Sequence, residues 1–285
     1  MNALAAVEGG GNFEFIFVDD GSRDATLDAL RNLAAKDRRV RYLSFSRNFG
    51  KEAALLAGLR AARGRYVVTL DADGQDPPAL IPQMLGMVQS GEYACAGTRR
   101  VSRRGEPPIR SFFARRFYAL MAKITDIDIV DGTRDFRLMN RAYANAILAM
   151  PERNRFSKGI FPWAGFRTKW FEYENIERWA GETKWSLWKL FLYSLDGIIA
   201  FSTKPLALAS VCGMALFLAA LVFVAVVVVR KFVIRLPDTG WSSIVCIILF
   251  TSGVQLFTTG IMGQYLAKIH TEVKQRPNYI VKEEN

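Results

Sequence analysis

Two uncharged stretches near the C-terminal end constrain this chain more than any other feature. As a helix, Pro205 to Val229 would reach about 37 Å, more than a hydrocarbon core of about 30 Å. Trp241 to Leu266 also lacks charge, and its Gln255, Gln264 and scattered Ser, Thr and Gly suit it to packing against the first run. Both are predicted to span a membrane, with Arg230 to Gly240 as the hairpin loop between them. The residues before Pro205 and the tail after Ala267 then share one side. Counting basic residues does not orient the hairpin, because its loop carries Arg230, Lys231 and Arg235.

The remaining chain has room for one substantial domain, since the whole is 285 residues. The net charge of +11 asks for an anionic partner. Beside two spans that partner is a membrane surface or a phosphorylated small molecule, and no nucleic acid is expected. Cys95, Cys212 and Cys246 lie too far apart for a disulfide framework. The single histidine, His270, rules out a histidine-built zinc site or triad, so any metal must take oxygen ligands. Met1 to Asn12 lacks the apolar core of a signal peptide, and with unpaired cysteines this points to the cytoplasm.

From Phe13 the pattern becomes regular. Apolar runs Phe13–Val18, Val40–Phe45, Tyr66–Leu70 and Tyr93–Gly97 alternate with helix-like stretches Ala25–Ala35, Lys51–Ala62 and Leu80–Ser90. Strands joined by crossover helices make an α/β fold with a parallel sheet. Asp19-Asp20-Gly21-Ser22, Ser46-Arg47-Asn48-Phe49-Gly50 and Asp71-Ala72-Asp73-Gly74 follow the first three strands. Ligands gather at the carboxyl ends of such strands, so the three clusters suggest one shared site.

Continuing the strand alternation puts Asp71 and Asp73 on one side, where two carboxylates can share Mg²⁺ or Mn²⁺ and leave positions open for diphosphate oxygens. An Asp-X-Asp triplet by itself is equally a polar strand end. Gly74-Gln75-Asp76-Pro77-Pro78 follows at once, and Gln75 can add a neutral oxygen ligand.

Ile109 to Thr125 interleaves Phe112, Phe113, Phe117, Leu120 and Met121 with Arg110, Arg115, Arg116 and Lys123. This amphipathic helix suits either a membrane surface or a core with one solvated face. Trp185 to Ser202 is a second candidate, its Trp185, Trp188 and Tyr193 suited to an interfacial belt.

The clusters Val18-Asp19-Asp20-Gly21-Ser22, Ser46 to Gly50 and Asp71 to Pro78 resemble those of the GT-A-fold family 2 glycosyltransferases. Asp135-Phe136-Arg137-Leu138-Met139, Gly181-Glu182-Thr183-Lys184-Trp185 and Glu272-Val273-Lys274-Gln275-Arg276-Pro277 are similar to the polyprenyl-phosphate branch, which includes dolichyl-phosphate mannose synthase and the bactoprenol glucosyltransferases. The resemblance implies a GT-A domain over residues 1–180, an interfacial region over 181–204, spans over 205–229 and 241–266, and a tail over 267–285. It implies transfer of a hexose, glucose from UDP-glucose, to undecaprenyl phosphate with inversion, in the cytoplasmic membrane and with a homo-oligomer allowed.

By motif position the resemblance assigns Asp71, Asp73 and Gln75 to metal and diphosphate, and Asp19 and Asp20 to the nucleoside. It assigns Asp135 to the reacting centre as base or positioning group, though a helix-capping aspartate in a loop is the plain alternative. Arg99 and Arg137 can bind phosphate or simply face solvent. The acceptor phosphate must arrive from the bilayer, where Arg110, Ser111, Arg115 and Lys184 stand ready. Lys184 and Trp185 serve equally as a membrane anchor.

Members of that family open with a strand resembling Val-Ile-Ile-Pro, and this chain starts beyond that point, so a sheet short of one central strand is expected. Two other readings follow: a scaffold descended from a transferase, and a processive polysaccharide synthase. The second requires a Gln-X-X-Arg-Trp motif, which the sequence does not contain.

Overall fold

The computed structural model describes residues 13–100, 116, 123–125, 130, 132–150, 152–174, 195–229 and 240–285. The chain forms two units, Met1–Ala200 with Gln275–Asn285, and Phe201–Lys274. Arg110, Ser111, Arg115 and Lys184 lie outside the described residues, as does most of the two expected interfacial helices and of the loop after Val229.

The first unit opens with the alternation expected from the sequence: Phe15–Asp19 (β1), Thr26–Lys36 (α1), Val40–Phe45 (β2), Lys51–Ala61 (α2), Tyr66–Thr69 (β3), Ile81–Gln89 (α3) and Cys95–Arg100 (β4). It continues through Thr133–Asn140 (β5), Arg141–Leu148 (α4), Ser157–Trp163 (α5), Thr168–Tyr173 (β6) and, far along the chain, Val281–Glu284 (β7). β1 and β2 run parallel, Phe15 beside Val40 and Asp19 beside Ser44. β2 is covered on both faces, with Val40, Tyr42, Leu43 and Phe45 buried, as its continuous apolar run requires.

Antiparallel strands complete the sheets. β7 lies along β2, giving the order β1-β2-β7, while β5 runs antiparallel between β3 and β4 in the order β3-β5-β4-β6. β4 and β6 are parallel. Within the second sheet, Phe136 and Leu138 of β5 pack with Ala96 of β4 over Ile81, Met84 and Val88 of α3.

The tail is held by side chains as well as by its ladder. Arg31 meets Glu283 with two guanidinium nitrogens, and the Tyr42 hydroxyl donates to Glu283 at 2.7 Å. Tyr279 stacks on Phe45 with ring centroids 5.0 Å apart.

The second unit contains Lys204–Val229 (α6) and Trp241–Val273 (α7), both long and apolar enough to cross a membrane. Leu208, Phe217, Val222, Phe257 and Leu266 are exposed on them, a surface suited to lipid rather than water. Helix α7 runs past the expected limit at Leu266.

Candidate active site

The turn after β1 depends on a residue without a side chain. Gly21 has φ +66°, and a Cβ there would meet the Arg47 carbonyl carbon at 2.4 Å. Only glycine allows this close approach of the loops after β1 and β2. Asp20 then reaches across: its two oxygens accept the backbone N–H groups of Phe49 at 2.6 Å and Gly50 at 2.9 Å. These amides lead directly into α2, where a carboxylate also suits the positive end of the helix dipole. Asp19 is buried and accepts from the Ser22 N–H at 3.0 Å and the Ser44 hydroxyl at 2.7 Å.

Strand register brings the next pair together. Thr69 of β3 lies opposite Arg137 of β5 in an antiparallel ladder. Asp71, two residues past the end of β3, and Asp135, two back along β5, therefore lie at the same end of this strand pair, and the Thr69 hydroxyl bonds the Asp135 carbonyl. Lys51, the first residue of α2, bridges the two: its Nζ lies 2.7 Å from Asp71 Oδ2 and 2.5 Å from Asp135 Oδ2. Burial opposes charge at Lys51 and Asp135, but the pairing wins at both. Burial pulls the Lys51 ammonium down, whereas Asp135 and Asp71 lift it above its ordinary value. Burial pushes the Asp135 carboxyl up, yet Lys51, Lys158 and Arg137 together hold it below the usual range.

Beside Lys51, the balance at Glu52 goes the other way. Burial pushes its carboxyl up, and the Ser157 hydroxyl and N–H, which donate to it, offset only part of that.

The loop after β3 is tied down by arginines. Strand β3 ends at Thr69, so the alternation expected to align Asp71 with Asp73 does not reach them. Instead the Asp73 carboxylate accepts the Gln75 N–H at 3.1 Å, and Gln75 Oε1 accepts from Arg100 at 2.9 Å. The Asp76 side chain has no exposed surface; it accepts from Arg134 Nε at 3.1 Å and the Tyr173 hydroxyl at 2.7 Å. Burial and that hydrogen bond push the Tyr173 hydroxyl up to about 12. Arg134 also approaches Asp71, its Nη2 standing 4.0 Å from Oδ2.

The structure thus gathers Asp71 and Asp135 around one ammonium, with Asp73 and Gln75 on the adjoining loop. Arg99 lies apart, half-buried on β4 and paired with Glu172 of β6. Arg137 is 3% exposed, its guanidinium lying 4.6 Å from the Phe161 ring centroid and 5.1 Å from that of Trp170. Among the described residues, no three His, Cys, Asp or Glu side chains gather as a cation site.

Sequence reasoning passed over Lys51, Arg100, Arg134 and Tyr173. One signal was available for Lys51: a cation on the first residue of a helix opposes the dipole, and such local conflicts collect at functional sites.

Residues 2–148 match the family model for glycosyl transferase family 2. The SfII prophage-derived bactoprenol glucosyl transferase of Shigella flexneri is 41% identical over 271 residues, covering 94% of this chain and 87% of that protein. The bactoprenol glucosyl transferase of Shigella phage SfV is 41% identical over 273 residues, covering 95% and 88%. The uncharacterized glycosyltransferase YkcC of Bacillus subtilis is 41% identical over 270 residues, covering 95% and 83%.

Proposed function

The chain belongs to glycosyl transferase family 2, and from that membership we propose that it moves glucose from UDP-glucose onto undecaprenyl phosphate, with inversion, at the cytoplasmic face of the inner membrane. The observation that carries the reading is the convergence of Asp71 and Asp135 on Lys51 in a chain with two helices fit to cross a membrane. The similarity to bactoprenol glucosyl transferases supports the lipid acceptor and the sugar.

A phosphate monoester has a second pKa of about 6, so the acceptor is already largely ionised at neutral pH and needs little help from a base. Its oxygen attacks the anomeric carbon as the bond from that carbon to the UDP oxygen breaks. Orientation and charge stabilisation then supply most of the rate. Asp135 faces the reacting centre and positions the sugar, while Asp19 and Asp20 shape the nucleoside end.

The donor set fits a hard divalent cation, Mg²⁺ or Mn²⁺: Asp71 and Asp73 offer carboxylate oxygens on one partly exposed loop, and Gln75 offers an amide oxygen shared with Arg100. When bound there, the cation would neutralise the departing diphosphate.

Arg110, Ser111, Arg115 and Lys184 would receive the acceptor phosphate from the bilayer. Pairing of β7 with β2 supports a tail and a catalytic domain on the same side after two crossings.

The test is an assay of the purified chain with undecaprenyl phosphate and a panel of labelled nucleotide sugars. Glucose is expected on the lipid from UDP-glucose well above every other donor. Lipid-linked sugar from none of them overturns the reading.

A further inference from the structure

Lys51 has no task in the reaction just described, although it touches both of its central carboxylates. Resting on that reading and deepening it, we propose that the Lys51 ammonium is a three-way junction that holds Asp71 and Asp135 with two of its N–H groups and presents the third to a phosphoryl oxygen of the reactants.

The geometry supports each arm. An ammonium has three donors and no acceptor. Two are committed, at 2.7 Å to Asp71 Oδ2 and 2.5 Å to Asp135 Oδ2. The Lys51 side chain is still 54% exposed, whereas those of Asp71 and Asp135 are 26% and 16% exposed, so the lysine is the most open of the three side chains to an incoming anion.

The base of the side chain is fixed. Both Asp20 oxygens hold the Phe49 and Gly50 amides that precede Lys51, so the lysine stem leaves a backbone pinned from β1. The contrast with a surface ion pair is clear: two long exposed side chains contribute little because neither is anchored. Here a helix start, a strand end and a neighbouring strand each deliver one partner.

Charge gives the junction its purpose. A diphosphate or a phosphate monoester approaching Asp71 and Asp135 meets two negative charges at close range, where repulsion in a partly buried site is strong. Lys51 offsets it at the point of approach. The helix dipole acts in the same direction, because the amino end of α2 also favours an anion.

The donor diphosphate and the acceptor phosphate share this chemistry, and the test separates them. Full-length chain carrying Lys51→Gln, which keeps a polar N–H donor on a side chain one atom shorter and removes the charge, is compared with wild type by UDP titration and by steady-state kinetics on both substrates. UDP affinity about tenfold weaker assigns the third N–H to the donor. Unchanged UDP affinity with kcat about a hundredfold lower, or a raised KM for undecaprenyl phosphate, assigns it to the acceptor. In either case Lys51→Arg is expected to recover part of the loss. Ethylammonium added to Lys51→Ala is expected to do the same, and tetramethylammonium, which has the charge but no N–H, is not.

A folded Lys51→Gln protein with UDP affinity, kcat and both KM values within about threefold of wild type overturns the proposal. If Lys51→Gln melts early, Lys51→Arg decides: normal melting with neither UDP affinity nor kcat restored also overturns it. Absence of transfer by wild type counts against the proposed reaction alone, because the UDP titration still reports on Lys51.

Discussion

The Lys51 ammonium lies 2.5 Å from the Asp135 carboxylate, joining the start of one helix to a strand more than eighty residues later in the chain. That contact keeps a mostly buried carboxyl ionised where burial alone would favour its protonated form.

A pH dependence follows from it. The folded Asp135 carboxyl sits below its unfolded value of 3.8, so the ionised form stabilises the fold above that value and the contribution is lost as pH falls through the folded one. Melting temperatures of wild type and Asp135→Asn are expected to differ most near neutrality and to converge below about pH 4. A difference that stays unchanged as pH falls well below 3.8 contradicts the ionised assignment.

In the proposed reaction the loop after β3 holds the sugar donor. Asp71→Asn and Asp73→Asn are each expected to lower hexose transfer by about a hundredfold or more while the protein stays folded. Labelled lipid product measured in excess Mg²⁺ or Mn²⁺ checks this, and full activity in either variant rejects the metal assignment.

Asp76 and Arg134 form an ion pair whose carboxylate has no exposed surface. Removing one partner strands a buried charge: Arg134→Met is expected to destabilise the fold by about 3–5 kcal/mol. Asp76→Asn combined with Arg134→Met is expected to recover more than half of that, because both charges are then gone. Thermal melts of the two single variants and the double variant measure the coupling.

The tail strand contributes to the stability of the first unit. Deleting Val281 to Asn285 removes the β2–β7 ladder and the Glu283 contacts to Arg31 and Tyr42. Loss of the ladder is expected to lower the melting temperature by roughly 6–12 °C, as a change of about 3 kcal/mol does in a unit of this size. An unchanged melting temperature would show the strand to be a passive edge.

Much of the opening strand-helix alternation was legible because its signals are local. The runs behind β1, β2 and β3 are short, apolar and closed by polar clusters, and each crossover helix lies between two of them. Strand β5 was harder to see. Asp135 to Met139 reads as a polar motif, because Asp135 and Arg137 interrupt Phe136 and Leu138. The period of two is present in those four residues, but Arg137 is as buried as its apolar neighbours, enclosed by Phe161 and Trp170. Strand β7 could not be inferred, since Val281-Lys282-Glu283-Glu284 becomes a strand only against the open edge of β2.

By itself the sequence determined the alternating α/β order, the two apolar helices and the motif carboxylates, because periodicity, length and charge are properties of short segments. Tertiary structure alone decided which of those carboxylates meet. Asp71 and Asp135 come together through an antiparallel register, and Lys51 joins them because Asp20 fixes the start of its helix. Contacts between distant segments depend on how strands pair, and strand pairing is settled by packing over the whole sheet rather than by any one stretch of chain.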